Sequence, residues 1–177
     1  MKMSSFSDFY VAGVSYRRSD AAVRSQFAIG EDQFPDFYKT ASESGLRDGF
    51  LVSTCNRTEI FGFASDATIL PELLCRFSAG SLGTFNANGY LKNGMEALRH
   101  LFHVAAGMDS QILGDYEIVG QMKRAVDIAK QNGFVDMTLG RMVNEAVRAT
   151  KKVRTHTEFS SGTVSVSFRS EEHTSEL

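Results

Sequence analysis

Two apolar runs, residues 49–54 and 59–64, separated only by Cys55-Asn56-Arg57-Thr58, restrict the fold of this chain more than any other feature. Phe50, Leu51 and Val52 are strand formers, and the alternation through Ile60, Phe61, Gly62 and Phe63 has the period of a half-buried partner strand. Ser53, Thr54 and Asn56 are residues that leave a ladder and turn. The segment therefore reads as two strands flanking a loop that carries Cys55.

The rest of the pattern surrounds those strands with helices. Residues 9–16 read as a first strand, 20–27 as a short helix and 31–44 as a longer one ended by Gly45. A helix over 67–78, a loop through the Gly/Asn-rich 80–89 and a short edge strand at 90–92 come next. Thereafter helices dominate. The one after Asn93 opens with Asn93 and Glu96 at capping-box spacing and sets Leu98, Leu101, Phe102 and Ala105 on one face, with His100 and His103 pointing away from it. A helix from about Tyr116 buries Ile118, Met122, Ala125 and Ala129, carries Glu117, Gln121 and Arg124 as a polar stripe, and stops at Gly133. A last one, over 136–156, turns Leu139, Met142, Val143, Ala146 and Val153 inward. Strands alternating with helices, then helices alone, predict an α+β layered domain.

A chain of 177 residues with 42% hydrophobic content is long enough to bury one proper core. No apolar run approaches the roughly 18 residues of a membrane span, and the N-terminus has neither a secretory leader nor an arginine-rich presequence, so a cytoplasmic address is expected. Cys55 and Cys75 have no partners at metal-ligand spacing, which predicts two free thiols and no metal site, with Cys75 packed in its helix. The net charge of −2 excludes the strongly basic balance of a dedicated nucleic-acid binder. Any grip on a polynucleotide must be local. The stripe of Arg141, Arg148 and Lys152 suits a phosphate backbone, and the basic residues near that helix's C-terminus equally complement its dipole.

Cys55 is mounted as a nucleophile would be. A thiol titrating near pH ~8.5 is only partly ionised at neutrality, and a guanidinium two residues on, with hydroxyl and amide donors around it, would shift it toward the thiolate. A small apolar residue packed at a strand end is the competing interpretation of the same spacing.

The block Ser53-Thr54-Cys55-Asn56-Arg57-Thr58-Glu59 resembles the signature of the glutamyl-tRNA reductase family. Three further blocks agree in order: His100-Leu101 with Gly107-Met108-Asp109-Ser110-Gln111-Ile112-Leu113-Gly114, then Ile118-Val119-Gly120-Gln121-Met122-Lys123, then 151–157 running into 162–167. The resemblance implies a ferredoxin-like α/β sandwich followed by helices. It makes Cys55 the catalytic nucleophile and His100 a second catalytic residue, and points to Thr54, Asn56, Arg57, Ser110 and Gln121 as contacts to the glutamyl group. The family's Glu-Pro-Gln triplet, which also belongs to the substrate site, is Asp115-Tyr116-Glu117 in this chain. The usual His-Lys-Thr-Ala-Pro segment is Tyr16-Arg17-Arg18-Ser19-Asp20, although Arg24 matches the arginine that follows.

The same resemblance implies the chemistry and its partners. Cys55 attacks the ester of glutamyl-tRNA, and NADPH reduces the thioester to glutamate-1-semialdehyde for tetrapyrrole synthesis. Whole members are expected to bind NADPH in a following domain and to dimerise through a C-terminal one. This sequence contains no Gly-x-Gly-x-x-Gly, so residues 1–157 read as the catalytic domain and 158–168 as the start of a connection. Residues 169–177 turn abruptly polar and are expected to be a non-native tail. The alternative function is a non-catalytic α/β module that binds RNA or protein.

Overall fold

A computed structural model describes residues 6–111 and 117–156, and for 153–156 the backbone alone. Four strands, β1 (Phe9–Ser15), β2 (Leu46–Ser53), β3 (Arg57–Ala64) and β4 (Tyr90–Asn93), pair antiparallel in the order β2-β3-β1-β4. Helices α1 (Ala21–Gln26) and α2 (Phe34–Ser44) connect β1 to β2, while α3 (Ile69–Arg76) and α4 (Leu82–Asn88) connect β3 to β4. Two interleaved strand–helix–strand units of this kind make the ferredoxin-like arrangement that the resemblance implied. Helices α5 (Gly94–Ala105), α6 (Glu117–Gln131) and α7 (Met137–His156) follow; α5 lies against β1 and α7, and α6 runs along β2.

Position in the sheet explains the burial of β3. Its eight residues are all buried, not half of them as its alternation suggested, because β3 lies between β1 and β2 with helices over both faces. The register puts Phe50, Phe61, Val11, Phe63 and Phe9 on one face and Leu51, Ile60, Ala12 and Val14 on the other. Phe50 stacks on Phe61 at 4.9 Å and Phe9 meets Phe63 at 5.1 Å. Beneath the second face, the Tyr38 hydroxyl accepts a hydrogen bond from Leu51 N–H at 3.3 Å, and burial pushes its phenol up to about 12. The outer edge of β2 is closed where Gly49 N–H donates to Phe134 O at 2.8 Å, in the connection between α6 and α7.

Most helix ends obey local rules. Asp20 caps α1 through Val23 N–H, Gly45 ends α2 in the left-handed region at φ 99°, and the Asp136 carboxylate accepts from Leu139 N–H at 2.7 Å to start α7. Three expectations are corrected. Residues 80–89 are not all loop: Ser81 caps α4 through Thr84 N–H at 3.1 Å, and buried Phe85 anchors the helix. Asn93 forms no side-chain cap, because it belongs to β4 opposite Tyr10, and Glu96 instead pairs with Lys92 at 2.5 Å. The buried stripe of α5 is Ala97, Leu101, Val104 and Ala105, with Leu98 and Phe102 only partly covered. That rotation carries His100 in toward the sheet.

Candidate active site

The cysteine loop is a tight turn closed on itself. Thr54 N–H donates to Arg57 O at 2.8 Å, and the Thr54 hydroxyl accepts from the N–H groups of Asn56 and Arg57, both at 3.2 Å. Thr54 therefore satisfies the amides that the bend would otherwise strand. Two further bonds tie the turn to its surroundings: Tyr16 N–H donates to Asn56 O at 3.0 Å, and Arg24 Nε to Cys55 O at 3.1 Å. Arg24 also donates to Ser19 O at 2.6 Å, so one guanidinium joins α1 to both loops. Cys55 is exposed at the tip, on an open groove of about 460 Å³ floored by Ala21, Ala28 and Arg24. Cys75 is partly covered, and burial pushes its thiol up.

Arg57 and Glu59 are two apart on β3, so they share the face covered by α5. Arg57 is 1% exposed and Glu59 0%. Arg57 Nη1 donates to Glu59 Oε1 at 3.3 Å and to Asp109 Oδ2 at 3.1 Å, while Nη2 donates to Asp109 O. Arg17, from the turn after β1, closes on the other oxygen of Asp109 and donates to Met108 O at 3.2 Å. Glu59 in turn accepts from Tyr90 OH and from His100 Nε2 at 2.6 Å. The cluster thus ties the strand after the cysteine loop to β4, α5 and the segment after α5.

The structure gives the Arg57 guanidinium partners that its spacing from Cys55 did not announce. Its Nη1 and Nη2 groups serve two buried carboxylate residues, and the side chain that reaches the cysteine loop's backbone is that of Arg24. His100, 11% exposed, lies inside on Glu59 rather than outward on α5, while His103 is exposed as anticipated. Ser110 is buried next to Asp109. Gln121 and Thr54 line a small cavity of about 90 Å³, at whose edge Arg124 forks onto Glu31 with both bonds at 2.7 Å. Glu117 is exposed at the start of α6, and Asp115 and Tyr116 lie outside the described residues. Glu59, His100 and Asp109 could each offer a ligand atom within 4.8 Å of the others, but Arg57 already supplies the positive charge between the two acids.

Glu59, Tyr90 and Asp109 were not picked out as a site from the sequence. The available signal was an Arg and a Glu at strand spacing inside an apolar run, which places two opposite charges on one buried face. Burial acts to raise the Glu59 carboxyl, but the Arg57 charge and then His100 and Tyr90 outweigh it and bring it down from 4.5 to about 2. A depressed carboxyl contributes stability in full above its unfolded value, lost as pH falls through the folded one. Denaturant unfolding is therefore expected to show a loss on the order of 3 kcal/mol between about pH 4.5 and 2, absent in Glu59→Gln. Equal acid sensitivity in the two proteins would count against it.

Gly13 leaves the room that Glu59 occupies. It faces Glu59 across the β1–β3 ladder, and a Cβ there would lie 2.6 Å from both Glu59 Cγ and Thr58 O. Gly13→Ala is expected to destabilise the fold by about 1–3 kcal/mol, read as a lower urea midpoint with unchanged slope. A neutral result would mean that the two strands separate freely.

Comparison with known proteins places these features in a family. A profile described as "Glutamyl-tRNAGlu reductase, N-terminal domain" matches residues 12–157. Glutamyl-tRNA reductase 2 of Flavobacterium johnsoniae is 44% identical over 162 residues, covering 92% of this chain and 37% of that protein. Glutamyl-tRNA reductase of Christiangramia forsetii is 43% identical over 163 residues, covering 92% and 39%. The solved structure of glutamyl-tRNA reductase from Methanopyrus kandleri superposes with a TM-score of 0.76 at 27% identity, over 94% of this chain and 39% of its own. The chain thus spans well under half the length of these relatives. No helix among the described residues is long and apolar enough to cross a membrane.

Proposed function

Because this chain belongs to the family of glutamyl-tRNA reductase N-terminal domains, we propose that it carries the acyl-transfer half of that reaction, with Cys55 attacking the ester that joins glutamate to the terminal ribose of its tRNA. The C–S bond forms as the C–O bond breaks, and the thiol proton ends on the ribose oxygen. The observation that carries the reading is the exposed Cys55 at the tip of a turn whose backbone is fixed by Thr54 and Arg24. A nucleophile needs that combination of access and fixed direction.

Thr54, Asn56, Arg57, Ser110, Gln121 and the 115–117 segment are the proposed contacts to the glutamyl group, and His100 the proposed second catalytic group. Arg57 is the natural carboxylate partner by chemistry. Engaging substrate requires it to share a guanidinium that also holds Glu59 and Asp109.

In the whole enzyme the hydride that reduces the thioester would come from NADPH. The described residues do not fit that cofactor: the sheet is entirely antiparallel and offers no parallel strand–turn–helix cradle for a pyrophosphate. This chain's contribution is therefore the thioester. Dimerisation and a cytoplasmic address of the whole enzyme belong to the same proposal.

Mass analysis of the chain after incubation with glutamyl-tRNA tests the reading. A glutamyl adduct on Cys55, removed by hydroxylamine, is the expected result. Adduct-free protein that still binds the RNA would favour a non-catalytic module, the second function class compatible with this fold.

A further inference from the structure

Glu59 is an unusual residue to find at the centre of a sheet. It sits among aromatic and aliphatic side chains at 0% exposure, on a strand where packing alone would be served by another apolar residue. Gly13 opposite forgoes a side chain to make room for it. Three separate elements converge on its carboxylate: Arg57 from its own strand, Tyr90 from β4 and His100 from α5. Burying such a group is costly unless every contact is made, so the arrangement calls for a use.

We propose that Glu59 is the positioning residue for His100: its carboxylate, fixed by Arg57 and Tyr90, accepts the Nε2 proton and holds the imidazole in the tautomer whose Nδ1 carries the lone pair. An ionised carboxylate can only accept a hydrogen bond, so at 2.6 Å the nitrogen facing it must be the one bearing hydrogen. Ring rotation is restricted as well, because one face of the imidazole stacks on Phe61 at 6.0 Å and its edge meets Tyr90 at 5.3 Å. The ion pair with Arg57 keeps the acid charged throughout the neutral range. His100 is thereby committed to presenting one defined nitrogen, Nδ1, as a proton or hydrogen-bond acceptor. This inference rests on His100 acting in the acyl transfer proposed above.

The test reads the tautomer without any RNA. In the chain carrying 15N-labelled histidine, long-range nitrogen–proton couplings followed over a pH titration are expected to show the neutral form of His100 as a single Nε2–H tautomer. In Glu59→Gln, whose amide can donate as well as accept, the tautomers are expected to mix, and thioester formation on Cys55 to slow by about 10²-fold. Tyr90→Phe removes one bond to the acid but keeps the acid itself, and is expected to retain the Nε2–H form. Wild-type His100 found as Nδ1–H or as a mixture would overturn the proposal. So would a Glu59→Gln protein with altered tautomers and an unchanged rate, or loss of the single tautomer in Tyr90→Phe. If Glu59→Gln does not fold, the wild-type and Tyr90→Phe spectra still decide. A wild-type chain that shows the predicted tautomer but never forms a thioester would sink the acyl-transfer reading instead.

Discussion

Cys55→Ser is expected to leave the fold intact and to reduce acyl transfer from glutamyl-tRNA by at least about 10³-fold. The residue is exposed at a loop tip and buries no side chain in the core, so the substitution carries little folding cost. What it removes is the attacking group of the proposed acyl transfer. A serine hydroxyl is almost un-ionised at neutral pH and yields an ester no more activated than the one it replaces. Single-turnover assays with labelled glutamate on tRNA would measure the loss, with unfolding in urea as the control. Cys75→Ser should change neither quantity much, since that thiol lies partly covered on α3. A Cys55→Ser protein that transferred the acyl group at the original rate would remove the cysteine from the mechanism.

Arg57→Met is expected to be the most damaging substitution to stability, by about 3–5 kcal/mol. The methionine fills similar volume, so the cost is electrostatic. Glu59 would be left without its nearest cation at full burial, and Asp109 would keep only the half-exposed Arg17. Arg57→Lys should recover part of the loss at most, because an ammonium cannot serve Glu59, Asp109 Oδ2 and Asp109 O with one planar fork. Denaturant unfolding at neutral pH measures both. The double variant Arg57→Met, Glu59→Leu offers a sharper check: if desolvated charge is the cause, removing the acid as well should return much of the stability. Equal destabilisation in single and double variants would point to packing instead.

The strands and the long helices were legible because each follows a local rule. The hairpin around Cys55 announces itself by two apolar runs and a turn. Gly45 and Gly133 end helices in backbone conformations that side chains resist, and Asp20 supplies a cap. Even so, α4 was hidden, because its Gly and Asn content speaks for a loop while its stability comes from Phe85 buried against the core. The capping box at Asn93 failed for a related reason. Sheet pairing to Tyr10 claimed that residue before the helix could.

Sequence by itself determined that Cys55 would stand at a bend between two strands, that an Arg and a Glu would follow it at strand spacing, and which family motifs the chain carries. Those are properties of neighbours along the chain, governed by turn chemistry and by the period of a strand. Tertiary structure decided what each charge faces. His100 and Asp109 lie 41 and 52 positions from their partners on β3, and only the packing of α5 across the sheet brings them there. Helical periodicity sets the angle between residues on α5, but the sheet it meets chooses which side of the helix is inward. That choice turned His100 from an apparent surface residue into the neighbour of a buried acid, and completed the charge cluster that Arg57 and Glu59 begin on β3.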